Sequence, residues 1–201
     1  MTLVAVTQRV VNVQEYEERR DALDQRWSDF LFACDCKPLL LPNRVELALQ
    51  MVSSFPVQGL LLTGGNNLVS LGGDAPERDQ TEHKLIDYFV EAHLPVLGIC
   101  RGMQLIQERA GINLEKVARH VAVEHLVSTN EGPSLVNSYH NFGTTVSTEE
   151  LLVDARAEDG VVESVRHHNL ALFGIMWHPE RVTPFAERDI QFFKNVFGGN
   201  S

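Results

Sequence analysis

The sequence predicts an α/β fold, with a mostly parallel sheet that carries helices on both faces and a β-rich second half. Up to residue 112, short apolar runs alternate with longer amphipathic stretches, which is the pattern of successive strand–helix units. Beyond that residue, short β-like segments dominate. The chain has 201 residues, 44% of them hydrophobic, which is enough for one core. We therefore expect residues 1–201 to form a single domain.

The first half contains four strand–helix units. The second strand is closed by a proline and the third by glycines, while Gly111 ends the fourth helix. Consecutive βα units place their strands in a parallel sheet that helices cover on both faces. The strands are expected at 3–7, 38–42, 59–65 and 95–99, and the helices at 16–33, 45–52, 77–92 and 103–110.

The second half is predicted to consist mainly of strands, closed by one helix. Its apolar segments are short, and no internal repeat, low-complexity tract or linker interrupts them. The strands are expected at 117–123, 134–139, 144–148, 161–167 and 172–177, and the helix at 184–197.

The composition narrows the classes of partner. A formal net charge of −10 argues against a nucleic-acid groove, which needs a basic patch. The N-terminus lacks a signal-peptide pattern, and no apolar run approaches the ~20 residues that span a bilayer. The three cysteines form neither a disulfide framework nor a zinc pattern, which favours a reducing cytoplasm. We expect no nucleic acid and no membrane among the partners.

No metal and no cofactor are expected from the sequence. His167 and His168 are adjacent at the end of a predicted strand, and adjacent residues on a strand point to opposite faces of the sheet. A third ligand at a suitable spacing is not evident from the sequence.

The turn Gly98-Ile99-Cys100-Arg101-Gly102 has the form of a nucleophile elbow. Cys100 follows a predicted strand and precedes a predicted helix, whose N-terminus favours the thiolate form of the side chain. The N–H of Arg101 would point toward a developing oxyanion. Two alternatives stay open at this point, a buried structural cysteine and a dinucleotide-phosphate turn, although Cys100 stands where that fingerprint needs its second glycine.

A base for Cys100 is expected at His178, which also follows a predicted strand. Glu180 lies two residues further on and would fix the imidazole tautomer. A third element is the loop from Thr63 to Asn67, where the N–H of Gly65 would join that of Arg101 in an oxyanion hole.

These three elements together resemble the class I glutamine amidotransferase superfamily, whose fold is flavodoxin-like. The similarity to its γ-glutamyl hydrolase branch, of peptidase C26 type, is closer. That similarity lies in RDQTEHKLIDYFVEAHLPVLGICRGMQLI (78–106), NSYH (137–140) and AEDGVVESV (157–165).

The resemblance implies hydrolysis of a small-molecule γ-glutamyl amide through a γ-glutamyl thioester on Cys100. His178 would pass a proton to the leaving amine, and water would then release glutamate. Arg9, Arg78 or Arg101 would suit an anionic leaving group. The residues expected to contact the substrate are Gly64, Asn66, Arg78, Gln104, Ser138, Tyr139 and His140.

Parts of the sequence depart from the family pattern and leave the substrate open. The run after the elbow reads QERAGINLEKV, where the hydrolases usually carry an asparagine and paired glycines. The N-terminal segment looks more like small members encoded with surface-polysaccharide (capsule) genes, and one such activity is hydrolysis of γ-glutamyl-CDP-amidate. The alternatives are a glutaminase subunit that supplies ammonia to a separate synthase and a binding protein that keeps the fold.

Overall fold

The computed structural model describes residues 1–198, and its centre is one nine-stranded sheet. The predicted α/β class is confirmed. The first helix of the chain and the last cover one face of the sheet, and the three helices between them cover the other. The helices are α1 (Arg26–Ala33), α2 (Val45–Ser54), α3 (Pro76–Glu91), α4 (Arg101–Arg109) and α5 (Glu187–Phe197).

The strands follow the two-part pattern of the sequence. Several are only two to five residues long, because their apolar runs are bounded by glycine, proline or polar residues. The strands are β1 (Thr2–Val6), β2 (Arg9–Asn12), β3 (Arg19–Ala22), β4 (Cys36–Leu40), β5 (Leu60–Leu62), β6 (Val96–Ile99), β7 (Glu115–Lys116), β8 (Val121–Thr129), β9 (Gly132–Tyr139), β10 (Phe142–Gly143), β11 (Leu151–Ala157), β12 (Val162–His167) and β13 (Leu172–Ile175).

The sheet has a parallel half and an antiparallel half that meet at β13. Its order is β4-β1-β5-β6-β13-β12-β11-β8-β9. Neighbouring strands from β4 to β13 are parallel, and those from β13 to β9 are antiparallel. The last strand of the chain thus lies beside β6 in the middle of the sheet. This placement brings the segment after β13 next to the segment after β6.

Two sequence predictions in the irregular regions are wrong. The expected helix at 16–33 begins only at Arg26, because 19–22 forms β3 in an antiparallel hairpin with β2. The apolar positions that favoured the helix lie from Leu23 onward, and the charged stretch before them has no apolar stripe to bury. No strand forms at 144–148; the unpredicted β11 at Leu151–Ala157 follows that segment and pairs with β8 and β12.

None of the helices within residues 1–198 combines the length and the hydrophobicity needed to cross a bilayer.

Candidate active site

Cys100 lies in a sharp turn between β6 and α4. Its backbone has a φ of 52°, a left-handed conformation that is uncommon for a residue with a side chain. The glycines on either side are required by close packing. A Cβ at Gly98 would collide with the backbone of Gly102, and a Cβ at Gly102 would collide with the backbone of Leu62. The turn therefore presents Cys100 at the N-terminus of α4, as the sequence predicted.

His178 lies beside this turn because β13 pairs with β6. The parallel register sets Ile175 opposite Ile99, so both chains leave the sheet at the same edge. A Cβ at Gly64 would lie 2.7 Å from Cε1 of His178 and 3.6 Å from Cβ of Cys100, which shows how closely the three residues meet. The imidazole is 3% exposed.

Two groups hold the imidazole and its backbone in place. Nδ1 of His178 lies 2.8 Å from Oε1 of Glu180, which is buried in the 3₁₀ turn Pro179–Arg181. The side-chain amide of Asn137 donates to the carbonyl of His178 and accepts from its N–H, each at 2.7 Å. Asn137 belongs to the NSYH segment, but the sequence did not indicate this role, which depends on how β9 meets the end of β13.

Electrostatics favours the protonated imidazole. Burial acts to lower the pKa of His178, but the interactions with Cys100 and with Glu180 outweigh it and raise the pKa to about 9. An imidazolium beside a sulfur atom stabilises the thiolate, which is the nucleophilic form of cysteine. The raised pKa of His178 therefore suits an imidazole that lies beside a cysteine nucleophile.

The glycine loop after β5 is fixed from below by Arg78. This buried guanidinium donates to the carbonyl of Thr63 at 2.6 Å and to the carbonyl of Gly65. It also donates to Oδ1 of Asn66 at 3.1 Å. Gly65 itself has a φ of 83°, which glycine adopts without strain. The two carbonyls flank the Gly64–Gly65 peptide, so Arg78 restrains the orientation of the N–H that the sequence assigned to the oxyanion hole.

A buried ion-pair network joins this loop to the cysteine turn. Glu82 accepts from Nε of Arg78 at 2.9 Å and also pairs with the guanidinium of Arg101, which in turn pairs with Asp79. Burial acts to raise the pKa of Glu82, but the guanidinium groups of Arg101 and Arg78 outweigh it and hold the pKa below its ordinary value. The carboxylate thus stays ionised between the two arginines.

Arg78 and Arg101 are consequently committed to protein contacts. Arg78 does not line the cavity at Cys100, and the guanidinium of Arg101 points into the network, while Arg101 still borders the cavity. Of the three arginines expected to suit an anionic leaving group, Arg9 lines the cavity and has no ion-pair partner within residues 1–198. Arg181, which the sequence did not indicate, lines it too, with its guanidinium 4.4 Å above the ring of Tyr139.

The cavity beside Cys100 has a volume of about 230 Å³ and brings together most of the predicted site. Gln104 is oriented by donating to the carbonyl of Phe142 at 2.9 Å. The ring of Tyr139 meets that of His178 edge to face, 5.7 Å between centroids. The predicted residues on its wall are Arg9, Gly65, Asn66, Cys100, Arg101, Gln104, Tyr139, His140 and His178.

Three residues predicted to contact the substrate lie off this wall. Ser138 is fully buried, and its hydroxyl donates to the carbonyl of His120 at 2.8 Å. Gly64 lies against the imidazole of His178, where there is no room for a side chain. Arg78 lies beneath the glycine loop. A contact with substrate stays a prediction for these three, and the structure gives each of them a packing or positioning role instead.

Comparison with known proteins gives one family and several relatives. The family described as "Glutamine amidotransferase class-I" matches residues 29–197. A γ-glutamyl-CDP-amidate hydrolase of Campylobacter jejuni is 30% identical over 201 residues, 96% of each chain. The γ-glutamyl-γ-aminobutyrate hydrolase PuuD of Escherichia coli K12 is 28% identical, over 79% of this chain and 78% of that one.

Solved structures share the fold at low sequence identity. A protein assigned as a GMP synthase subunit, from Thermoplasma acidophilum, has a TM-score of 0.73 and 18% identity, over 98% of this chain and 93% of that one. A glutamine amidotransferase from Thermotoga maritima has a TM-score of 0.66 and 15% identity, over 96% and 83%. At these identities the similarity supports the fold only, and the chemistry has to be argued from the site itself.

Proposed function

The chain belongs to the class I glutamine amidotransferase family, and we propose that it hydrolyses a γ-glutamyl amide and releases glutamate. The observation that carries the proposal is the convergence of Cys100, His178 and Glu180 at one edge of the sheet, beside a cavity. The similarity to γ-glutamyl amide hydrolases over most of the chain supports it. One continuous sheet carries both halves of the site, which supports a single hydrolase domain over residues 1–201.

In the proposed acylation step, the Cys100 thiolate attacks the γ-carbonyl carbon of the substrate. The carbonyl electron pair moves to oxygen, where the N–H groups of Gly65 and Arg101 stabilise the negative charge. As the tetrahedral intermediate collapses, the C–N bond breaks and the His178 imidazolium gives its proton to the leaving nitrogen. The products are a free amine and a γ-glutamyl thioester on Cys100.

In the proposed deacylation step, water replaces the departed amine. Neutral His178 takes a proton from the water, whose oxygen attacks the thioester carbonyl, and the carbon–sulfur bond then breaks. Glutamate leaves, and the thiolate–imidazolium pair is restored. Glu180 orients the imidazole through Nδ1 and stabilises its protonated form.

Substrate recognition is assigned to the wall of the cavity. We propose that Gln104, Tyr139 and His140 contact the glutamyl group, because all three residues line the cavity beside Cys100. Arg9 and Arg181 provide positive charge near the cavity, against a net charge of −10 for the whole chain. These two arginines suit a leaving group that carries phosphate, which is the narrower substrate hypothesis.

The narrower proposal is that the substrate is γ-glutamyl-CDP-amidate, used in surface-polysaccharide (capsule) biosynthesis. It is supported by the two cavity arginines and by the similarity to the Campylobacter jejuni hydrolase, which extends over nearly the whole of both chains. Cleavage would yield glutamate and cytidine diphosphoramidate.

A second candidate is a glutaminase that supplies ammonia to a separate synthase. The observation that favours it is the fold similarity to the Thermoplasma acidophilum GMP synthase subunit across almost all of both chains. Under this proposal the same Cys100 chemistry acts on glutamine, and hydrolysis depends on the partner.

Glutamate release by the purified protein separates these candidates. The substrates are γ-glutamyl-CDP-amidate, γ-glutamyl-γ-aminobutyrate and glutamine, each offered without any synthase. We expect turnover of γ-glutamyl amides by the chain alone, fastest with the nucleotide-linked one. Hydrolysis of none of the three by well-folded protein would overturn the hydrolase proposal. Equal rates on all three substrates would overturn only the narrower proposal, that the substrate is γ-glutamyl-CDP-amidate.

A further inference from the structure

A second cluster of ionisable side chains lies beside the proposed active site, and none of its members transfers a proton or an acyl group in the proposed hydrolysis. It consists of three histidines around one carboxylate: His120 just before β8, His125 within β8, His140 just after β9 and Glu163 within β12. Nδ1 of His120 and Nε2 of His140 each lie 3.2 Å from Oε1 of Glu163, and Nε2 of His125 lies 3.7 Å from Oε2.

Two atoms at the centre of the cluster lack a hydrogen-bond partner. Glu163 is fully buried, yet its Oε2 has none, and neither has Nε2 of His125. A buried carboxylate oxygen without a partner is costly and uncommon, and a bound ion is one of its recognised explanations. The two orphaned atoms lie 3.7 Å from each other.

In two of these rings, the nitrogen that points away from Glu163 lies close to an oxygen acceptor, as it does in metal-binding histidines. Nε2 of His120 lies 3.0 Å from a carboxylate oxygen of Asp159, and Nδ1 of His140 lies 3.0 Å from the carbonyl oxygen of Phe142. A metal-ligating histidine almost always donates its other N–H to such an acceptor. If both rings donate their one N–H outward, their other nitrogens turn lone pairs toward Glu163, and a bound cation would satisfy these nitrogens and the carboxylate together.

We propose that His120, His125 and Glu163 form a binding site for one divalent transition-metal ion of the zinc type. The ligand atoms would be Nδ1 of His120, Nε2 of His125 and the carboxylate of Glu163, all within 4.8 Å of one another. His140 is the nearest candidate for a fourth ligand. Two or three imidazoles with one carboxylate suit Zn²⁺, whose tetrahedral ligands stand about 3.3 Å apart at its usual bond lengths.

The role of the ion would be to fix the wall of the cavity. Its ligands come from β8 and its N-terminal side and from β12, and His140 follows Tyr139 directly on that wall. A bound ion would cross-link these antiparallel strands beside the segment that is proposed to contact the glutamyl group. No step of the proposed hydrolysis uses the ion, so metal binding and hydrolysis can be tested separately.

Zinc binding to chelator-treated, dialysed protein tests the proposal. We expect one equivalent of Zn²⁺ by isothermal titration calorimetry and a higher unfolding temperature when zinc is bound. His125→Ala removes a ligand and is expected to weaken zinc binding at least ~100-fold. Asp159→Asn changes only the outer partner of His120 and is expected to weaken binding about 10- to 100-fold. His168→Ala, at an exposed histidine outside the cluster, is the matched control and should bind as the native chain does.

Several outcomes would overturn the proposal. One is that the native chain binds no Zn²⁺. Imidazolium groups alone would then balance the negative charge of Glu163. Another is native-like zinc affinity in both His125→Ala and Asp159→Asn. Asp159 has a half-exposed side chain, so its variant is expected to fold even where a core variant would not. Loss of zinc binding by His168→Ala alone would place any site elsewhere and would equally contradict the assignment.

Discussion

The molecule contains two cysteine environments that are equally buried and electrostatically opposite. Cys100 is 7% exposed, and Cys34 and Cys36, at the corner between α1 and β4, are each 2% exposed. All three are free thiols. Burial, with the neighbouring Cys36, raises the pKa of Cys34 to about 12, and burial, with Asp35, raises the pKa of Cys36 to about 11. Cys100 instead lies at a helix N-terminus beside the His178 imidazolium.

Exposure alone does not distinguish the two environments, but the groups around each thiol differ. Burial among apolar side chains disfavours the thiolate at the α1–β4 corner, and the nearby Lys194 offsets this effect only in part. At Cys100, the N-terminus of α4 and the imidazole of His178 lie beside the sulfur atom. We expect this contrast to make Cys100 the reactive cysteine.

Cys100→Ala should reduce glutamate release from a γ-glutamyl amide by at least about 10⁴-fold, because the variant has no thiol on the cavity wall to form the thioester. Cys36→Ala, the matched control at the α1–β4 corner, should keep nearly full activity. Both are measured by steady-state assay, with circular dichroism to verify folding. Activity lost in the corner variant and kept in Cys100→Ala would reverse the assignment.

Alkylation by iodoacetamide at pH 7 should separate the two environments by at least about 10³-fold in rate, since thiols with a pKa near 11 or 12 are almost entirely protonated. Peptide mapping should find the label on Cys100 in the native protein and on all three cysteines only after unfolding. Comparable native labelling of Cys34 would show that its thiol is not suppressed.

Glu180→Gln should lower kcat by about 10²- to 10³-fold, because the imidazole loses the partner that orients it and stabilises its charge. The interaction with Glu180 raises the pKa of His178, so its removal lowers that pKa. Activity of the native enzyme should fall as the pH rises through about 9, where the imidazolium loses its proton. In the variant, this alkaline loss of activity should occur at lower pH. A pH–activity profile that does not move would show that Glu180 does not act through His178.

Arg78→Lys should lower kcat by about 10- to 100-fold with little change in KM, since lysine keeps the charge but cannot hold two carbonyls of the glycine loop at once. Arg109→Lys, which alters a surface ion pair with Asp87, is the control and should stay within about 2-fold of native. A rise in KM with an unchanged kcat would instead assign Arg78 to substrate binding.

The parallel half of the molecule was the more predictable one. Cys100, His178 and the glycine loop each follow an apolar run, so the sequence placed all three at strand ends, while the pairing of β13 with β6 that brings His178 to Cys100 comes from the structure. The Gly98 and Gly102 positions were also recognisable, because a tight turn leaves no room for a Cβ there.

The antiparallel half depends on strand register, which short polar segments do not specify. The pairing of Asn137 with His178 and the meeting of His125 with Glu163 each result from that register, and both escaped sequence analysis. The role of Arg78 was missed for another reason. An arginine four residues before a glutamate is usually a surface pair, and only the packing of α3 against β5 buries it.

The most direct test of the account is to detect the covalent intermediate. The native chain is mixed with a γ-glutamyl amide, quenched in acid during the first turnovers and analysed by peptide mass spectrometry. We expect a γ-glutamyl group on the peptide that contains Cys100, and none on the peptide that contains Cys34 and Cys36. Adduct on any other residue, or full turnover with no adduct at any quench time, would contradict it.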